Sequence, residues 1–269
     1  MCEAHQNSAA QDGPTLVDVS KMDRRDLLRG LTAGTLVLVS GCATNPVTGR
    51  SQLILVDESQ LQQASLQAWA QVLQQTPRWN NASAQRRLET VGNRIVQAAG
   101  RANQRWEFVL FDSPDKNAFV LPSGNVGFYR GLYDICERDD WIATVLGHEV
   151  GHVTGRHTAE RYSREVATSV ALQTAGTRLS QGAMAALGLG AQVGLSLPFS
   201  REQEAEADII GLNYMRQAGY DVRESIPFWG AMASGGGSRP PEFLSTHPDP
   251  ANRIARIRAY INQQGWGPV

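Results

Sequence analysis

Cysteine is nearly absent from this sequence: Cys2, Cys42 and Cys136 are the only three in 269 residues. So odd and sparse a set is no disulfide framework. With Cys2 in the leader and Cys42 put to another use below, Cys136 reads as a small buried apolar residue. A charge excess is also missing. The formal net charge is -1, so there is neither a basic footprint for nucleic acid nor an acidic tail. Taking away residues 1–41 removes five acidic and four basic groups and leaves the remainder formally neutral. No clean apolar run of about 20 residues, the length that spans a bilayer, is present. The run Leu31–Val39 is too short, and residues 175–197 hold five glycines between Gly176 and Gly194. That second stretch reads as a buried or membrane-facing helical hairpin rather than a span. There is no internal repeat. Hydrophobic residues at 42 % against 19 % charged exclude chain-wide disorder, and the length suits one large domain or two small ones.

The leader has the layout of an export signal. Arg24, Arg25 and Arg29 give a positive region, Leu31–Val39 the apolar one, and Val39-Ser40-Gly41-Cys42 the end. Small residues directly before a cysteine resemble a bacterial lipobox, in which Cys42 is acylated and becomes the new N-terminus. Acyl chains then tether the protein by about 0.8 kcal/mol per buried methylene. Arg24-Arg25 also resembles a twin-arginine signal, which leaves the export route open. Residues 1–21 read as an overlong start before Met22. Ala43 after the lipid site, by resemblance to Gram-negative lipoproteins, favours the outer membrane facing the periplasm.

Beyond the leader, residues 42–56 read as a lipidated tether and 57–269 as one domain. A helix is expected over Asp57–Gln75, capped by Asp57 or Ser59, with Leu61, Ala64, Leu66, Ala68, Val72 and Leu73 on its apolar positions. A second, Ala82–Ala99, carries Leu88, Val91, Ile95 and Val96 on one face and stops at Gly100. Strands are expected at 106–111, 118–121 and 126–129, with turn chemistry at Pro122–Asn125. A long helix follows over Asp139–Tyr162, another ends near Gly219, residues 234–241 read as a loop, and Ala251–Gln263 closes the chain with Ile254, Ile257 and Ile261 inward.

The chemistry centres on His148-Glu149-Val150-Gly151-His152. Residues four apart share a helix face, so both imidazoles reach one ion. Glu149 beside them can hold the water that the metal activates. Two imidazoles, a carboxylate and one open position suit zinc. Buried imidazoles without a partner are costly, and Trp141–Gly147 is apolar enough to bury this helix. Within Ser200–Asp208, Glu204 can be the third ligand while Asp208, one turn on, accepts the free N–H of a ligating histidine. Glu202 and Glu206 are competing carboxylates that point elsewhere and read as a solvated face. His157, five past His152, is off the ligand face and a second-choice ligand only.

At these residues the chain resembles the zinc metallopeptidase family of the CAAX prenyl endopeptidases and HtpX, within its periplasmic lipoprotein branch (BepA-like and LoiP-like). The matching pieces are Cys42–Gly49, Asn117–Pro122, His148–His152, Glu204–Asp208 with Gly211, and Ser245–Pro248. Ser123 and Trp141 depart from the family pattern without touching the proposed ligands. The resemblance implies a mainly helical α+β, gluzincin-type domain with a small antiparallel sheet packed on the motif helix. It implies that His148, His152 and Glu204 bind one Zn2+ per chain, with Glu149 as general base. It also implies that His247 can approach the zinc and block its open site, against the plainer reading that His247 packs a turn before Pro248. The strand 126–129 is then a sheet edge on which an extended substrate pairs. Arg253 and Tyr214 are candidates for stabilising the oxyanion.

The activity implied is hydrolysis of peptide bonds in unfolded or misassembled cell-envelope proteins. The implied partners are extended polypeptides, a membrane reached through the lipid anchor, and outer-membrane assembly machinery; nucleic acid is not among them. A lipoprotein chaperone or assembly scaffold with a latched or structural zinc is the main rival, and a cell-wall amidase the second.

Overall fold

The computed structural model describes residues 42–174, 198–234, 242–248 and 250–267. The leader, the glycine-interrupted stretch 175–197 and nearly all of the 234–241 loop lie outside the described residues. In chain order come β1 (Cys42–Thr44), β2 (Ser51–Leu53), α1 (Glu58–Gln75), α2 (Ala82–Ala98), β3 (Glu107–Phe111), β4 (Ala118–Val120) and β5 (Asn125–Tyr129). Then follow α3 (Arg130–Tyr133), α4 (Asp139–Thr154), α5 (His157–Thr174), α6 (Arg201–Gln217), a 3-10 turn (Val222–Glu224), α7 (Ser225–Ser234), α8 (Glu242–Thr246) and α9 (Pro250–Gln263). The domain is mainly helical with a small sheet, as expected.

Every residue of α4 from Trp141 to His152 is buried. A helix apolar on all sides has no face to offer water and must sit at the centre. On one side α4 meets α2, whose Leu88, Val91, Ile95 and Val96 are all buried. Asn81 caps α2 by accepting the Ala84 N–H, and Gly100 ends it at φ 67°. On another side α4 crosses α6 at small residues. A Cβ on Gly147 would lie 2.9 Å from the Gly211 carbonyl oxygen, and one on Gly151 2.9 Å from that of Ala207. Only glycine lets the two backbones come this close, and the close crossing carries the α6 carboxylates to the α4 histidines. Helix α1, capped by Asp57, turns Leu61, Ala68 and Trp69 inward but leaves Leu66 52 % exposed. Leu66 stands about 140° round the helix from Leu61, off the narrow stripe that faces the sheet.

The sheet has the order β3-β5-β4. Its β4–β5 pair is antiparallel, whereas β3 and β5 run parallel, because the chain reverses direction twice between them. The second reversal is the turn at Gly124, whose φ is 85°. The strand at 126–129 is therefore central and not the expected edge. Among the described residues the edge beside α4 is β4. Leu121 N–H donates to the Asn125 carbonyl and Tyr129 N–H to that of Asn117. By antiparallel alternation Phe119 pairs with Gly127, and the backbone groups of Ala118 and Val120 face outward.

The helix expected over Asp139–Tyr162 is in fact two. It breaks at Gly155 and Arg156, the latter at φ 56°. A Cβ on Gly155 would lie 2.4 Å from the His157 ring, so the break is what allows that ring to fold back on α4. Residues 42–53, expected within a tether, form a β1–β2 hairpin whose turn is packed on α5 and α6.

Candidate metal centre

His148 and His152 stand one turn apart on α4, Glu204 projects from α6, and His247 follows α8; all four are buried. Their donor atoms converge. His148 Nε2 is 3.1 Å from His152 Nε2 and 3.5 Å from Glu204 Oε2, and His152 Nε2 is 3.3 Å from Glu204 Oε1. His247 Nδ1 lies 3.2 Å from His148 Nε2 and 3.1 Å from Glu204 Oε1. Three ring nitrogens cannot all share protons with one another, so lone pairs aimed at one point call for a cation. With Zn–N bonds of about 2.0–2.1 Å, the edge of a tetrahedral ligand set is about 3.3 Å, and the five separations cluster there. The residues present thus fit zinc in number, chemistry and spacing.

Each candidate ligand is held from behind. Asp208 Oδ1 is 2.9 Å from His148 Nδ1, the partner expected for it. Arg253 donates from Nε to Asp208 Oδ2 at 2.9 Å and from Nη2 to Glu204 Oε2, with its guanidinium 4.1 Å over the Trp229 ring. Of the oxyanion candidates, Arg253 commits Nε and Nη2 to Asp208 and Glu204, while its buried Nη1 has no hydrogen-bond partner among the described residues. The Tyr214 hydroxyl donates to Thr154 Oγ1 and so is not directed at the cluster. His247 stacks on Phe243 with centroids 4.1 Å apart, and His152 on Phe199 at 3.8 Å.

Glu149 lies beside this cluster, 2 % exposed, and its Oε1 makes no hydrogen bond. His247 Nε2 is 3.4 Å from that oxygen but not aligned for one. Burial pushes the Glu149 carboxyl up to about 8. Burial also pushes His247 down to about 4 and His152 well below the ordinary imidazole value. It opposes charge on His148 too, but Glu204 and Asp208 outweigh it and hold that ring at about 9. For Glu204, the His247 and His148 rings overcome burial and hold the carboxyl well below the usual carboxylate range.

Two residues take partners that helix spacing does not show, and for Glu206 the expectation fails. His157 Nδ1 is 2.9 Å from His152 Nδ1, behind the ligand rather than on the metal. Glu206, expected as a solvated face, is 8 % exposed and lies 3.1 Å from His157 Nε2; Glu202 is exposed as expected. Composition held the missed signal. The sequence has five histidines, and the four beyond the leader all meet here. Cys136 is buried in the core, its thiol pushed up to about 12 by burial.

A centre of this kind, on a helix at the heart of an α+β domain, is what a gluzincin-type metallopeptidase domain presents. Residues 82–261 match Peptidase family M48, and the chain belongs to it. It is 38 % identical over 178 residues to the mitochondrial metalloendopeptidase OMA1 of Schizosaccharomyces pombe, covering 65 % of this chain and 52 % of that protein. To the mitochondrial metalloendopeptidase OMA1 of Bos taurus it is 31 % identical over 239 residues, covering 81 % and 46 %. The beta-barrel assembly-enhancing protease of Escherichia coli K12 is 29 % identical over 188 residues, 65 % of this chain and 38 % of that protein. The chain thus spans about half the length, or less, of these curated relatives.

Proposed function

We propose that this chain is a membrane-anchored zinc metalloendopeptidase that cuts extended, unfolded or misassembled polypeptides of the cell envelope, with His247 latching its resting state. The observation that carries the reading is the buried Glu149 carboxyl group, its Oε1 without a hydrogen bond, beside four converging donors. His148, His152 and Glu204 hold the zinc and Glu149 is the general base. Zinc bound there would polarise the scissile carbonyl and lower the pKa of water. Glu149 takes a proton from the attacking water on Oε1 and returns it to the leaving amine nitrogen. Asp208 and Arg253 orient His148 and Glu204 throughout.

The outward backbone groups of Ala118 and the outward carbonyl of Val120 suit a substrate strand added to β4, the Val120 N–H being turned to Glu149; this favours extended chains over folded ones. In the same reading residues 1–41 are an export signal, 42–56 carry the lipid at Cys42, and 57–269 are the peptidase domain. Asn45 is buried against the domain, and three residues span at most about 10 Å. A lipid on Cys42 therefore holds the zinc centre close to the membrane surface. No helix among the described residues is long and apolar enough to cross a membrane. The relative named for β-barrel assembly supports contact with assembly machinery, and Ala43 after the lipid site supports an outer-membrane, periplasm-facing place.

One observation favours the rival scaffold reading. With His247 counted, four protein donors surround one point, which is the ligand number of structural zinc. Casein cleavage decides, measured with zinc, with chelator and as Glu149→Gln. Cleavage that needs both zinc and Glu149 establishes the peptidase. If no condition gives cleavage, His247→Ala included, the chain is a scaffold.

A further inference from the structure

The turn between β1 and β2 is built around Asn45. Its Oδ1 accepts the Val47 and Thr48 N–H groups at 3.0 and 3.2 Å, and Gly49 closes the turn at φ 73°. The turn presents three side chains to one carboxylate, that of Glu206. Thr48 Oγ1 donates to Oε1, Arg50 donates from Nε to Oε1 at 3.0 Å and from Nη2 to Oε2 at 2.9 Å, and Asn45 Nδ2 reaches Oε2 at 3.4 Å. Arg50 also grips Glu160 through Nη1 at 2.9 Å and Nη2 at 2.7 Å. Glu160 is 1 % exposed. A buried carboxylate with this many donors is fixed in place.

From Glu206 a single line of polar contacts runs inward. His157 Nε2 lies 3.1 Å from Glu206 Oε2, and His157 Nδ1 lies 2.9 Å from His152 Nδ1. The proton positions follow from the chemistry. A ligand that gives its Nε2 lone pair to a metal keeps its proton on Nδ1. His152 Nδ1–H therefore donates to His157 Nδ1, which must be the bare nitrogen. His157 then carries its proton on Nε2 and donates it to Glu206. Only one arrangement satisfies every atom, and a carboxylate at the outer end is what enforces it. Asp208 does the same for His148 directly; for His152 the task needs an intervening imidazole.

We infer that the strap Asn45–Arg50 is a positioning element of the metal centre, setting the tautomer and aim of His152 through Glu206 and His157. The inference rests on the zinc reading of the site. It gives a chemical use to residues that neither bind metal nor touch substrate, and it ties the segment next to Cys42 to the centre itself.

The test is zinc affinity of the full chain, measured by chelator competition, with the cobalt(II) spectrum as a readout of ligand geometry. Arg50→Met and His157→Gln should each weaken zinc by about 10–100-fold and shift the cobalt bands, while circular dichroism stays native. Arg50→Lys should recover only part of the loss, since one ammonium cannot fork to two carboxylates. Because the residues act in series, Arg50→Met adds nothing further once His157→Gln is present. Should Arg50→Met fail to fold, Thr48→Val replaces it in the same cycle. Affinity within twofold of wild type in the folded variants, unchanged cobalt bands, or fully additive losses would overturn the inference. A wild-type chain that holds no zinc overturns the metal reading, and this inference with it.

Discussion

His247 Nε2 stands 3.4 Å from Glu149 Oε1, while the other nitrogen of the same ring completes the donor cluster. In the proposed reading one imidazole thus fills the place of a substrate oxygen and crowds the general base at once. Removing it should release both. His247→Ala is expected to raise casein cleavage by about tenfold or more, because observed activity scales with the open fraction. Zinc should stay bound through the other three ligands. A rate equal to wild type would reduce His247 to a packing residue beside Phe243.

Glu149 differs from every other carboxylate near the centre in having an oxygen with no hydrogen bond. Glu149→Gln keeps shape and volume and removes only the ability to take a proton. Cleavage should fall by about 10²–10⁴, with zinc content unchanged by metal analysis. A variant that loses zinc as well would place Glu149 among the ligands.

Much of this was readable in the sequence where local chemistry decides. The α2 face, the glycine stops at Gly100 and Gly219, and the place of Asp208 one turn beyond Glu204 each follow from spacing along a single helix. What was not readable depends on tertiary neighbours. Strand order is such a case, since nothing local tells that β5 inserts between β3 and β4. The fate of Glu206 is another. Its solvation was inferred from helix phase alone, but the turn at 45–50 and the break at Gly155 bring Arg50 and His157 to it from 156 and 49 residues away.

Arg253 is fully buried and bridges Glu204 and Asp208. Breaking a buried pair from one side leaves its partners uncompensated, at about 3–5 kcal/mol. Arg253→Met should therefore lower Tm by about 10 °C and weaken zinc, because Glu204 loses its anchor. Thermal unfolding beside a chelator titration checks both. If only Tm falls, Arg253 serves the fold and not the ligand.

Cys136 gives a pH test with a defined sign. Its thiol is held at about 12 in the fold by burial, against an ordinary value of 9.0. Between those values the unfolded chain has lost the proton and the folded chain has kept it. The contribution to stability is therefore flat below pH 9 and falls as pH rises towards 12. Thiol reagents at pH 8 should label Cys136 only after denaturation. Rapid labelling of the native protein would show that the site opens.

The crossing of α4 and α6 makes the last prediction, through two glycines in opposite surroundings. At Gly211 an added Cβ would lie 2.7 Å from the Gly147 carbonyl carbon and 2.8 Å from the His148 nitrogen. Both are helix backbone, which cannot swing aside as a side chain would. At Gly230 in α7 nothing lies within 4 Å of the added atom. The intrinsic gain of alanine over glycine in a helix is about 0.5–1 kcal/mol at either site. At Gly211 overpacking of about 1–3 kcal/mol outweighs it. Gly230→Ala should thus raise Tm by about 2 °C and Gly211→Ala lower it by several degrees. Since the atom crowded is the backbone of a proposed ligand, Gly211→Ala should also weaken zinc, and Gly230→Ala should not. Equal shifts of Tm in the two variants would mean that the close crossing does not set the distance between Glu204 and the histidines.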